Sequence, residues 1–366
     1  MSTIPTATRR RVLEALGAGT AVMAGCAAPG DPDGGQATEQ PTEQRTEPQE
    51  PAMNPAKSTD VDRVAADPTD IPDPIDRSTP TSHTIEMTTS EVVAEVEPGV
   101  TYTYMTFDEQ IPGPMIRVRQ GDTVELTVTN ESSSSMPHNV DLHAVRGTGG
   151  GAEASMVAPG ESATFKFKAT YPGAFIYHCA VPNLDMHISS GMFGLIVVEP
   201  KEGLPEVDRE FYFGQNELYT TGAAGEKGHH DFDMDAMAAE EPTYVLLNGE
   251  KYAITPDRYG APTLEVGETA RVFFVTGGPN LDSSFHPIGN VWDKVWQQGA
   301  LAGPANRFVQ TTPVKPGSAA VAEFHAEVPG PIKLVDHALS RVARKGMLGI
   351  INREGPKNPE VFDPDP

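Results

Sequence analysis

Two stretches of this chain, VRQGDTVELTV from Val118 and LEVGETARVFFV from Leu264, are versions of one pattern. In the first, Val124, Leu126 and Val128 alternate with polar residues, the two-residue period of a strand with one buried face. Gly121-Asp122 marks the turn before it, and Gly267-Glu268 stands in the same place in the second. A strand-and-turn signature met twice predicts an internal duplication, and so an all-β chain of two related domains. The 35 Gly and 34 Pro suit many short strands and turns rather than long helices. With 366 residues there is room for both copies and a tail.

The chemistry gathers in the first copy. Tyr171 to Gly194 reads YPGAFIYHCAVPNLDMHISSGMFG, and apart from Cys26 its Cys179 is the only cysteine. Cys179, His187 and Met192 supply a thiolate, an imidazole and a thioether within one short segment. Two His and a Cys with a long axial Met is the set that copper takes in electron-transfer sites. The aromatic and β-branched run up to Cys179 predicts a strand, on which His178 and Cys179 must face opposite sides. In Met136-Pro137-His138-Asn139-Val140-Asp141-Leu142-His143 the same parity puts His138 on one side and Asp141 and His143 on the other. His138 then completes a copper set with Cys179, His187 and Met192. His143 joins His178, giving a second metal two imidazoles and a nearby carboxylate.

The rest of the chain frames these sites. Residues 1–26 read as an export signal: Thr8-Arg9-Arg10-Arg11-Val12-Leu13 resembles a twin-arginine motif, followed by an apolar run too short to span a bilayer. Met23-Ala24-Gly25-Cys26 resembles a lipobox, predicting a lipid tether on the outer face of a membrane. Residues 27–78 are rich in Pro, Thr, Glu, Asp and Gln, and are expected to form a disordered acidic stalk. The first domain is expected over 79–200 and the second over 206–366. A formal net charge of −24 argues against nucleic acid as a partner and suits a halophilic source. Asn130-Glu131-Ser132 matches a glycosylation acceptor. The stretch 225–241, with His229, His230 and several acids, is expected to be a solvated helix or loop. His83 and His325 are assigned to structure or surface.

Over about residues 80–360, the motifs HNVDLH, YHC…H…M, HPI (from His286) and DHAL (with His337) together resemble the copper-containing nitrite reductases. The resemblance implies two tandem Greek-key cupredoxin β-sandwiches. It implies a type 1 copper on His138, Cys179, His187 and Met192, and a type 2 copper on His143, His178 and His337, one of each per subunit. In that family the third His comes from a neighbouring subunit, so a homotrimer with interfacial active sites is implied. Asp141 and His286 would then serve as proton-handling catalytic residues, with Ile288 crowding the nitrite pocket. A small redox protein, blue-copper or cytochrome, would be the electron donor. The loop from Cys179 to His187 is one residue shorter than in well-known members, and Met186 stands where an aromatic often precedes the His. Two rivals are a laccase-like multicopper oxidase and a non-catalytic blue-copper carrier. The first needs His-x-His pairs, which are absent from this sequence. The second leaves Asp141, His143, His286 and His337 without a purpose.

Overall fold

The computed structural model describes residues 53–365. The export signal, Cys26 and the first half of the stalk lie outside the described residues. The rest is almost all strand, in four sheets that form two sandwiches. In the first sandwich, one sheet runs in the order Val100–Phe107, Ser82–Glu97, Thr123–Asn130, Ser162–Lys168. It faces Gly113–Arg119, Phe193–Glu199, Gly173–His178 and Asp141–Leu142. Thr123–Asn130 buries Val124, Leu126 and Val128, as its alternation requires. Those side chains share the first sandwich's interior with Met87, Ile196, Cys179 and Met192.

The duplicated pattern occupies equivalent places. Thr123–Asn130 runs parallel to Ser82–Glu97 and antiparallel to Ser162–Lys168. Thr269–Gly278 runs parallel to Arg209–Leu218 and antiparallel to Ser318–His325. The turn glycines match as well, with φ of 101° at Gly121 and 104° at Gly267, a region that side chains with a Cβ seldom enter. A second interior fills the copy, built on Val272, Phe274, Phe285 and Trp292. A third lies between the sandwiches, where Val197 and Tyr104 of the first meet Tyr212, Phe273 and Val321 of the second.

Two expectations are corrected. Residues 53–78 are not a stalk but a strap packed on both sandwiches. Val64 is fully buried, Ala65 and Ala66 nearly so. The backbone N–H groups of Val64 and Ala65 donate to the buried Glu250 carboxylate at 2.8 and 3.2 Å. Ala66 N donates to Ile111 O, and Tyr212 N to Pro68 O. Composition misleads here because the strap is held by its backbone, needing few apolar side chains of its own. The second correction concerns part of 225–241: Met234–Ala238 is a largely exposed short helix, as expected, but the histidines are not solvated. Gly228–His230 is a buried strand, parallel to Val100–Phe107, added to the edge of the first sandwich although it belongs to the second half of the sequence. His229 Nδ1 lies 3.1 Å from Thr101 Oγ1, and His230 Nε2 2.8 Å from Glu226 O. Asn130 is also buried, donating to Met136 O, so its triplet is not presented for glycosylation.

The strap's far end is anchored electrostatically. The buried Asp122 carboxylate accepts from Arg77 Nη1 at 2.8 Å, His83 Nε2 at 2.9 Å, and the backbone N–H of Thr81 and Arg119. Burial alone would raise its pKa, but the Arg77 bond and the backbone donors outweigh burial and hold it below the usual carboxylate range. A carboxyl depressed in the folded state stabilises above its unfolded pKa of about 4, and that stability is lost as pH falls further. Asp122→Ala is expected to cost about 3 kcal/mol in urea unfolding at neutral pH. The difference from wild type should shrink below pH of about 4. A cost within about 0.5 kcal/mol would mean that the anchor contributes nothing.

Candidate metal centres

The centres are built around the end of Gly173–His178. Tyr177 and Leu142, and Asp141 and His178, are cross-strand neighbours on its free edge, while Phe193–Glu199 pairs on the other side. Cys179, the next residue, is tied down by Cys179 N donating to Met192 O at 3.1 Å. The His178 and Cys179 side chains enter different clusters, as strand parity demands.

On the inner side, Cys179 Sγ lies 3.9 Å from His138 Nδ1 and 3.5 Å from His187 Nδ1. All three side chains are at most 1 % exposed. His187 sits on the short helix Leu184–Ser189, Met192 N donates to His187 O, and Met192 is buried in the same interior as Cys179. Burial pushes the His187 imidazole down to about 4, with His138 adding repulsion, so it is neutral and keeps a lone pair. Burial pushes the Cys179 thiol up. A buried thiol between two imidazoles whose Nδ1 atoms converge on it has the donor set and spacing that copper fits.

Two supporting groups have no signature in the sequence. Asn139 Oδ1 accepts from Ala180 N at 2.7 Å and from the Cys179 thiol at 3.6 Å, bracing the loop around the sulfur. Glu91, from the opposite sheet, brings Oε1 to 3.8 Å from His138 Nε2, an atom with no hydrogen-bond partner. Burial raises the Glu91 pKa, yet the nearby His138 ring and the bonds from Ser135 hold it at about 2. A carboxylate behind a metal-binding imidazole orients the ring and strengthens it as a donor.

On the outer side, His143 Nε2 and His178 Nε2 face each other at 3.1 Å, and Asp141 completes the group. His178 Nδ1 donates to Cys179 O at 2.9 Å, so its Nε2 carries the free lone pair. Burial, and then repulsion from His178, lowers the His143 pKa. Two imidazoles aimed at one point beside a carboxylate fit a second metal. His178 borders a cleft of about 590 Å³ that also touches Leu184, Asn280 and Gly317.

The second sandwich brings together His286 and His337, whose rings meet edge to face with centroids 5.2 Å apart. His286 Nδ1 donates to Gln310 O at 2.6 Å. His337 is exposed at the end of Gly330–Asp336, and the buried Asp336 fixes that turn by accepting from Ser284 N, Ala338 N and Arg341. Ile288 shares the outward face with His286 and is 40 % exposed. Within the chain His337 does not join the group of Asp141, His143 and His178. His83 and His325 take the structural and surface roles expected of them, on Asp122 and on Gly267 O.

Residues 88–203 match the family model described as multicopper oxidase. The chain is 49% identical over 302 residues to the copper-containing nitrite reductase of Neisseria meningitidis, covering 82% of this chain and 76% of that protein. The corresponding enzyme of Neisseria gonorrhoeae is 48% identical over the same shares. Among solved structures, the copper nitrite reductase of Nitrosomonas europaea superposes with a TM-score of 0.68 at 32% identity, over 76% of this chain and 96% of that one.

Proposed function

Because the chain belongs to the copper-containing nitrite reductases, enzymes that form nitric oxide, we propose a division of labour among its own residues. His138, Cys179, His187 and Met192 hold a type 1 copper, and His143 and His178, with His337 of the partner subunit, hold a type 2 copper. When bound, the first supplies single electrons and the second an open coordination position for nitrite. Reduction of nitrite to nitric oxide and water takes one electron and two protons. The Cys179–His178 peptide unit links the thiolate side to the imidazole side through a few covalent bonds.

Asp141, on the side of His143 and His178, hydrogen-bonds nitrite and delivers one proton to the departing oxygen. His286 delivers the second: its Nδ1–H is occupied by Gln310 O, leaving Nε2 to exchange protons. Ile288, exposed on the same face, narrows the space beside nitrite and favours one binding mode. The reading of a homotrimer is supported by the exposure of His143 and His337 on separate sandwiches, and by exposed Ile288, Phe308 and Leu339 on the second. An electron donor of the blue-copper or cytochrome kind would meet the chain near His187, where Leu184 is exposed. Export by the twin-arginine route and a lipid on Cys26 are read from the leader sequence alone.

One observation carries this reading: adjacent residues, His178 and Cys179, belong to two separate clusters, each with its own histidine partner. Copper analysis combined with nitrite-dependent nitric oxide release tests it. About two coppers per chain and nitric oxide from nitrite are expected. About four coppers with oxygen consumption would overturn it in favour of an oxidase.

A further inference from the structure

We propose that Gly150 is a positioning residue for nitrite reduction: the side chain it lacks leaves the space in which the Asp141 carboxylate rests. The inference rests on the reading of Asp141 as the group that meets nitrite. A Cβ placed on Gly150 would lie 1.8 Å from Asp141 Oδ1 and 2.9 Å from its Cγ. Among the described residues no protein donor holds that carboxylate, so its orientation is set by what it packs against. The seat is therefore steric.

The turn that forms the seat is firmly built. Gly149, Gly150 and Gly151 have φ of 54°, 57° and 107°, three successive residues in the left-handed region. Gly150 N donates to Gly147 O, and Ala152 N to Gly149 O. Ser155 Oγ accepts from Val140 N at 3.0 Å and donates to Gly151 O at 3.0 Å. Asn139 Nδ2 donates to Ala152 O at 3.2 Å. The turn is thus bolted to the residues just before Asp141, and backbone and carboxylate keep a fixed relation.

The three glycines are needed for different reasons. A Cβ on Gly149 meets only Ala152 Cβ at 3.4 Å, an ordinary contact. A Cβ on Gly151 meets the Phe165 ring at 2.6 Å, a side chain with no role assigned in the reaction. Only at Gly150 does the added atom displace a group assigned to the reaction. Leu142 O, at 2.9 Å from that Cβ, is backbone and must shift as well, a stability cost that every Gly150→Ala variant shares. The far end of a side chain yields most easily, so Asp141 is the group that moves.

Gly149 provides an internal control, because Ala at either position carries a similar left-handed backbone cost. The test compares Gly149→Ala, Gly150→Ala, Asp141→Ala and Asp141→Ala/Gly150→Ala in the full-length, copper-loaded protein. The readouts are melting temperature, copper content, kcat and KM for nitrite, and titration of the type 2 electron paramagnetic resonance signal with nitrite. Gly149→Ala is expected to lower the melting temperature while kcat and the nitrite titration stay within about twofold. Gly150→Ala should keep its copper, lose about 10²-fold in kcat and shift the nitrite titration. Added to Asp141→Ala, it should change turnover no further. If Gly150→Ala does not fold, the double variant should, since the closer obstruction, the carboxylate, is gone and only the Leu142 O contact remains.

Turnover and titration in Gly150→Ala matching Gly149→Ala would overturn the proposal. So would an effect of Gly150→Ala that persists in the absence of the Asp141 carboxylate, or failure of both Gly150→Ala variants to fold. Asp141→Ala with wild-type turnover would instead remove the reading of Asp141 itself.

Discussion

A mixture of His143→Ala and His337→Ala subunits is expected to recover activity that neither variant has alone. Each single variant strips one imidazole from the type 2 set, and should lose nitrite turnover by about three orders of magnitude or more. The visible band of the type 1 centre should persist in both, because Cys179, His138 and His187 lie on the other side of the strand. When the variants are expressed together and assemble at random, about a quarter of the interfacial sites draw His143 from one intact source and His337 from another. Those sites should work. The measurement is nitrite-dependent nitric oxide release from the mixed assembly against the two pure variants. Zero recovery, with mixed trimers demonstrated by mass, would place both histidines in one chain's site and remove the subunit-sharing reading.

Removal of the thiolate should separate the two centres by function. Cys179→Ala is expected to abolish the visible band, and to lower donor-driven turnover by about three orders of magnitude. Nitrite should still perturb the electron paramagnetic resonance signal of the type 2 centre, because His143 and His178 keep their 3.1 Å approach and the Cys179 O that fixes His178 is backbone. The buried pocket absorbs the loss of sulfur with a stability cost of about 1–2 kcal/mol, so the protein remains folded. Donor-driven turnover within about tenfold of wild type would show that electrons reach the type 2 centre by another route.

What the sequence made legible is local chemistry. The opposition of His178 and Cys179 follows from a two-residue period, which needs no knowledge of the fold. The sorting of His138 from Asp141 and His143 also holds, although that run is not one strand: only Asp141–Leu142 pairs with Gly173–His178, and His138 forms an isolated bridge to Val157. Non-local support was not legible. Glu91 reaches His138 from another sheet, and nothing near either residue announces the meeting. Gly150 stands in the run Gly147-Thr148-Gly149-Gly150-Gly151, and the carboxylate occupying its free space is invisible to spacing. The strap of residues 53–78 and the strand Gly228–His230 were misjudged for a shared reason. Both are polar segments whose backbones are satisfied by distant partners, and composition registers the side chains alone.

The loan of Gly228–His230 to the first sandwich has its own consequence. Its hydrogen bonds cap the outer edge of Val100–Phe107, a strand that carries Tyr102 and Tyr104 into the interior between the sandwiches. Cut free after Glu199, the amino-terminal half would present that bare ribbon edge to other chains and invite them to zip onto it. The two halves, however alike in ancestry, have become inseparable tenants of one molecule, and a minimal copper relay is not to be had by trimming this one.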